Sequence, residues 1–203
     1  MRYNFPYATP GQRIGLLGGS FDPAHEGHVH ITKEALKRFK LDRVWWLISP
    51  KNPLKERNPD LVGDRIKEAN LLLSHPRVVV TDLEIQLSTQ YTSDTILKLK
   101  RLYPRVSFVW LMGADNIPTF NLWKNWKKIM REVPIGVVDR PGNNYATRKN
   151  KMTESFKNKK IPGAHSKLLA LMEPPVWCYI NTNLNHISSS QIRLVKHSLI
   201  NKN

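Results

Sequence analysis

The 203-residue sequence predicts an α/β fold, a Rossmann-like doubly wound, mostly parallel sheet with helices on both faces. Three observations predict it. Short apolar runs without strict alternation recur along the chain, as strands covered on both faces do. They alternate with segments of helical spacing, the rhythm of βαβ units. At the end of the first run a Gly-Gly break leads into a helical pattern, and open α/β sheets bind ligands at such strand ends.

Ile14 to Leu17 reads as the first strand. Gly18 and Gly19 end it, Ser20 and Asp22 are turn formers, and Pro23 fixes a backbone angle. Gly27 and His28 then open a helix that places Ile31, Ala35 and Phe39 on one side. Arg43 to Ile48 is a second strand, and Ser49 to Pro59 is a loop with three prolines and the cations Lys51, Lys55 and Arg57. Leu61 to Ser74 has helical spacing up to Pro76, which blocks continuation. Arg77 to Thr81 is a third strand, and Leu83 to Gln90 is expected to be a short strand or turn. Ser93 to Leu102 is a helix ended by Pro104, and Val106 to Met112 is a strong fourth strand running into Gly113-Ala114-Asp115-Asn116. A helix around Leu122 to Arg131, a strand Ile135 to Val138, a short helix near Ser166 to Met172, a strand Trp177 to Ile180 and a last helix from about Ser189 follow. The chain is expected to be one domain over 1–203, with an N-terminal extension 1–12 and a basic, mobile segment 143–163.

Composition narrows the function classes. Apolar content of 40% suits a globular protein. No apolar run approaches the roughly 18 residues of a membrane helix, and Met1 to Gln12 lacks the apolar segment of a secretory signal. The one cysteine, Cys178, lies between Val176-Trp177 and Tyr179-Ile180, so a buried, inert thiol in a reducing cytoplasm is expected. The net charge of +16 calls for a polyanionic ligand. From Arg140 to Lys167 there are eight basic residues against one acid, Glu154, interleaved with Asn, Gly and Pro, which reads as a solvated loop. No helix or aromatic platform accompanies the charge, so nucleic acid is not the expected partner.

Two stretches carry chemistry. His25 and His28 sit where a strand feeds a helix, and helix N–H groups and dipole converge there on a bound anion. A zinc site or simple hydrogen bonding within the turn are the alternatives. His30 reads as an ordinary helix residue. Ile187-Ser188-Ser189-Ser190-Gln191-Ile192-Arg193 sets hydroxyls at a helix start with an arginine one turn in. Serines are natural N-caps, so a plain helix start is the bland alternative.

Gly18 to His28 is similar throughout to the G-G-[ST]-F-x-P-x-H-x-G-H signature of the nucleotidyltransferase superfamily, and Ile187 to Arg193 resembles its second signature, I-S-S-[ST]-x-[IV]-R. Within the superfamily, three stretches resemble the bacterial nicotinate-mononucleotide adenylyltransferases. They are Tyr91-Thr92-Ser93-Asp94-Thr95, Leu111 to Asn116, and Phe120 to Trp126 with the pattern F-x-x-W-x-x-W. Departures are mild: Gln90 stands where a Ser precedes the Tyr, and Ser190 replaces the commoner Thr. The resemblance implies transfer of the adenylyl group of ATP to nicotinate mononucleotide. His25, His28 and Arg193 would be catalytic; Gly18, Gly19, Ser20, Phe21, Ser188, Ser189 and Ser190 would join them in holding ATP. Asp22, Lys51, Lys55, Thr92, Asp115, Trp123 and Lys124 would serve the acceptor, and Mg²⁺ would come bound with ATP. Trp123 would offer the pyridine a flat face, Thr92 and a backbone N–H near Lys124 would hold the carboxylate, and Trp126 would belong to the core. Transfer to nicotinamide mononucleotide or phosphopantetheine stays open, as does a basic nucleic-acid-binding role.

Overall fold

The computed structural model describes residues 5–50, 60–139 and 150–182. Seven strands form one sheet. They are β1 (Arg13–Gly19), β2 (Arg43–Ile48), β3 (Val78–Thr81), β4 (Ser107–Gly113), β5 (Ile135–Val138), β6 (Lys160–Ile161) and β7 (Trp177–Ile180). Their order across the sheet is β3-β2-β1-β4-β5-β7-β6. The expectation of a mostly parallel sheet becomes an entirely parallel one, because every pair runs parallel. From β1 the chain winds outward to β2 and β3, returns to β4 on the other side of β1, continues to β5, then runs to the edge strand β6 and back to β7 between them. The reversal lies between β1 and β4, whose Leu17 and Leu111 stand side by side.

The helices are α1 (Glu26–Arg38), α2 (Val62–Leu72), α3 (Leu83–Gln86), α4 (Thr92–Leu102), α5 (Ile117–Phe120), α6 (Trp126–Glu132) and α7 (Lys151–Ser155). Successive strand residues face opposite sides, which splits the core into two apolar layers. Leu17, Trp46, Val109, Leu111 and Cys178 meet α1, α2 and the 3₁₀ turns of 163–171 through Ile31, Ala35, Phe39, Ala69 and Leu169. Leu16, Trp45, Trp110, Met112 and Trp177 meet the remaining helices through Leu83, Ile96, Leu99, Phe120, Ile129 and Met152. Because both faces are covered, β1, β2, β4 and β5 read as continuous apolar runs. No helix among the described residues is long and apolar enough to cross a membrane.

Three elements differ from the sequence reading. Leu83 to Gln90 begins as the short helix α3 rather than a strand, since Leu83 and Leu87, at i and i+4, both reach the core. The helix expected over 122–131 begins only at Trp126, as α6, because residues 121–125 form turns and Asn125, with a left-handed φ of 57°, precedes the first helical residue. The basic segment is not simply a solvated loop, because its described part, 150–163, is built into the fold. Asn150 caps α7 through its side chain, Met152 and Phe156 are buried, the Trp177 indole donates to the Phe156 carbonyl at 2.8 Å, and β6 adds the edge strand. Its lysines stay outward while their apolar neighbours supply the anchor. In the extension, Tyr103 donates to the Pro6 carbonyl at 2.8 Å and Gly11 to that of Arg105 at 2.6 Å, which holds residues 5–12 against the start of β4. Cys178 is fully buried, and burial pushes its thiol up to about 11, so it stays protonated and unreactive at neutral pH. The last helix, expected from about Ser189, lies outside the described residues.

Candidate active site

The carboxyl ends of β1 and β4 flank the winding reversal, where an open parallel sheet leaves a crevice. Gly19 ends β1 and Gly113 ends β4. Both ends are shaped by close approach. A Cβ on Gly18 would run into the Trp110 indole, and one on Gly113 would run into the Asp115 carboxylate and Ile31. The Gly19 carbonyl accepts from the Ser49 N–H at 2.9 Å, so the segments leaving β1 and β2 are tied together.

The turn after β1 is held in an uncommon conformation. Phe21 has φ 47°, in the left-handed region, which costs a bulky residue roughly 1 kcal/mol or more. Its buried ring offsets this by stacking on Trp46 at 4.9 Å and leaning on His28 at 4.5 Å. The Trp46 indole in turn donates to Thr32 of α1 at 2.7 Å. The Asp22–Pro23 peptide is cis.

The chain then enters α1 with His25 as N-cap. His25 Nδ1 accepts from the Gly27 N–H at 3.0 Å, and His28 Nδ1 accepts from the His25 N–H at 3.2 Å. A ring nitrogen that accepts carries no proton, so both imidazoles bear theirs on Nε2, a tautomer assigned from the hydrogen bonds. The rings lie 4.0 Å apart. Both imidazoles stand at the start of a 13-residue helix, whose positive end favours an anion. A cluster of three or more His, Cys, Asp or Glu side chains that could hold a metal does not occur among the described residues.

A second group gathers beside the first. Trp123 packs edge-on to Trp110 at 6.0 Å and against Phe120 at 5.3 Å, and Trp110 is the ring that Gly18 accommodates. Lys124 Nζ stands over the Tyr91 ring at 4.1 Å, so the segment carrying Thr92, at the first turn of α4, meets the one carrying Trp123 and Lys124. Trp126 is half-buried against the core between Phe120 and Phe156. Asp115 is exposed in the 3₁₀ turn after β4, folded back toward Gly113. The fold thus brings Gly18, Gly19, Ser20, Phe21, Asp22, His25, His28 and Asp115 to the ends of β1 and β4, with Thr92, Trp123 and Lys124 alongside. Lys51, Lys55, Ser188, Ser189, Ser190 and Arg193 lie outside the described residues.

Two residues gain roles that the sequence reading did not assign. His30, read as an ordinary helix residue, bonds Thr182 at 2.7 Å, and the Thr182 hydroxyl spends its one proton on the Asp139 carbonyl at 2.8 Å. His30 Nε2 is therefore the donor, and it ties α1 to the end of β7, from which the chain continues toward the second signature. Arg65, on α2, is buried, and it donates from Nη1 to the Ser20 and Ser49 carbonyls and from Nε to the Asp60 carbonyl. Burial pulls its pKa down, while Asp22 and Asp60 push it up. One signal for it was available in the sequence: Arg65 shares helical spacing with Ala69 and Leu73, which both face the core.

The cytidylyltransferase-like family matches residues 16–195. A Ruegeria pomeroyi protein named "Probable nicotinate-nucleotide adenylyltransferase" is 51% identical over 193 residues, 95% of this chain and 91% of the relative. A Roseobacter denitrificans protein of the same name is 50% identical over 193 residues, 95% of this chain and 97% of its own. Among solved structures, a Plasmodium falciparum nicotinic acid mononucleotide adenylyltransferase complexed with NaAD is similar with a TM-score of 0.68 at 20% identity, over 90% of this chain and 83% of that one. At that identity the likeness speaks for the fold. Sequence likeness over nearly the whole chain speaks for kinship, and the protein belongs to the cytidylyltransferase-like family, among its nicotinate-nucleotide adenylyltransferases.

Proposed function

We propose that the protein transfers the adenylyl group of ATP to nicotinate mononucleotide, yielding deamido-NAD and pyrophosphate. The observation that carries this reading is the pair of imidazoles at the end of β1, each accepting a backbone N–H at Nδ1 and so bearing its proton on Nε2. The identity to relatives of that name supports the choice of acceptor.

The nucleophile is a phosphate oxygen of the mononucleotide, already mostly ionised at pH 7 because its second pKa is near ~6. It attacks the α-phosphorus of ATP, and the bond to the β-bridging oxygen breaks, so pyrophosphate leaves with the electron pair. No proton needs to be removed first. The barrier is the approach of one anion to another, and catalysis consists of in-line positioning and neutralisation of charge. His25 and His28 donate to phosphate oxygens as charge moves toward the leaving group, and Arg193 with Ser188, Ser189 and Ser190 holds that group. Bound with ATP, Mg²⁺ supplies further neutralisation of the triphosphate oxygens. Asp22 and Asp115, in the turns after β1 and β4, would be the carboxylates to meet such an ion or its waters, which nucleotide oxygens would mainly carry. The buried, unreactive Cys178 suits a cytoplasmic location.

Incubation with Mg-ATP and each candidate acceptor, followed by pyrophosphate release, tests the proposal. Nicotinate mononucleotide should give the highest turnover. No release above that with nicotinamide mononucleotide or phosphopantetheine would sink the assignment of acceptor. Trp123→Ala should raise the KM for nicotinate mononucleotide by about tenfold and leave the KM for ATP within about twofold, as expected for the loss of one aromatic face. An unchanged mononucleotide KM would remove Trp123 from the acceptor site.

A further inference from the structure

We infer that Arg65 is a positioning residue for the turn that receives the triphosphate, joining the segments that leave β1 and β2. The inference rests on the proposed adenylyl transfer and assigns Arg65 no contact with substrate.

The hydrogen bonds of Arg65 define the device. Ser20 follows Gly19, the last residue of β1, and Ser49 follows Ile48, the last residue of β2. One guanidinium nitrogen, Nη1, reaches both carbonyls, and Nε reaches the Asp60 carbonyl just ahead of α2. The Ser49 N–H also donates to the Gly19 carbonyl, so the two strand exits are crossed by a backbone bond and by the Arg65 fork. A planar guanidinium with donors in fixed directions can span three acceptors, whereas an ammonium on a flexible stem cannot hold the same three in one geometry.

These three acceptors are neutral carbonyl oxygens. They solvate the cation but do not cancel it. Arg65 is 1% exposed, and Nη2 makes no hydrogen bond among the described residues. Two carboxylates, Asp22 in the turn and Asp60 just ahead of α2, act on it electrostatically and offset its charge. The turn from Ser20 to His28 therefore meets a polyanion with its backbone pre-set, so less rearrangement remains when the phosphates arrive.

A purely structural arginine would affect stability alone, and kinetics per folded molecule separate the two roles. Arg65→Lys keeps the charge but loses the fork; Arg65→Met keeps the approximate length and loses both. Each is assayed well below its melting temperature, with the folded fraction measured by circular dichroism. Arg65→Lys is expected to lower kcat/KM for ATP by about tenfold or more, with the KM for the mononucleotide within about twofold, and Arg65→Met is expected to lose about another tenfold. Values of kcat and KM for ATP within twofold of wild type in folded Arg65→Lys would overturn the inference. Titration calorimetry with ATP distinguishes its failure from that of the proposed reaction. If wild type binds ATP but adenylylates no acceptor, the reaction is wrong, and the Arg65 role then stands on a tenfold weaker ATP affinity in Arg65→Lys and falls on an equal one. Wild type that does not bind ATP defeats both. Should neither variant fold, the Arg65 Nε–H resonance in the ¹⁵N spectrum of wild type decides. A shift on saturation with ATP supports the coupling, and no shift overturns it.

Discussion

His28→Ala is expected to lower kcat by about 10²–10³-fold while leaving the KM for nicotinate mononucleotide within a few-fold, the pattern for a donor that acts mainly in the transition state. The size follows from what the imidazole supplies. With Nδ1 bound to the His25 N–H, the His28 ring is oriented before substrate arrives, and in the proposed role its Nε2–H would meet phosphate charge without reorganisation. The same substitution removes half of the α1 capping box, a loss of about 0.5–1.5 kcal/mol of stability. His28→Gln separates the two effects, because glutamine is a usual partner at this capping-box position. It should recover most of the melting temperature and little of kcat. If His28→Ala turned over at near wild-type rate, the phosphate role would be wrong.

Raising the pH from about 5 to 8 is expected to destabilise the protein through Glu84, and Glu84→Gln should remove this component. Glu84 is buried on α3, and burial pushes its carboxyl up to about 7 from an ordinary value of 4.5, with a Thr95 hydrogen bond pulling the other way. The folded protein therefore holds this proton more tightly than the unfolded chain does. Below about pH 4.5 both states are protonated and the group contributes no difference. Between there and about pH 7 the unfolded chain gives up the proton more readily, so stability falls as pH rises, and above about 7 the loss levels off near ~3 kcal/mol. Paired carboxylates such as Asp42, whose pKa Arg13 holds down, act at lower pH and in the opposite sense, and they cancel in a comparison of wild type with variant. Thermal melts at several pH values between 5 and 8.5 should show wild type losing ground to Glu84→Gln as pH rises. Parallel curves would refute it. The consequence reaches the acceptor segment, because the Glu84 carbonyl accepts from Thr89 N–H at 2.8 Å, Thr89 bonds Thr95 at 2.8 Å, and Thr95 bonds the Tyr91 carbonyl at 3.2 Å, next to Thr92.

Much of the architecture was legible in the residues. Apolar runs such as Val44-Trp45-Trp46-Leu47-Ile48 give up strict alternation only when both faces are covered, so a parallel sheet followed from the sequence. Cys178 was readable as inert from its neighbours. Where the reading failed, local preference was outvoted by contacts distant in sequence. Phe156, in a stretch read as solvated by its lysines, is anchored through its carbonyl to Trp177, 21 residues away. The helix expected from Leu122 starts four residues later, after Asn125, since the left-handed geometry that Asn125 adopts leaves no trace in apolar spacing.

By itself the sequence determined the local geometry at the end of β1. Gly18, Gly19, His25, Gly27 and His28 act within one turn and one helix start, and their spacing alone sets the cap and both imidazole tautomers, because every hydrogen bond involved spans two or three residues. Tertiary structure alone decided what stands behind and beside that turn. Arg65 comes from 45 residues away to hold the Ser20 carbonyl, His30 reaches across 152 residues to Thr182, and Lys124 meets Tyr91 only because α4 and the segment before α6 pack on the same side of the sheet. Short-range hydrogen bonds depend on residue order, which the sequence states outright. Long-range ones depend on strand order, and the neighbours β1 and β4 are separated in the chain by β2 and β3.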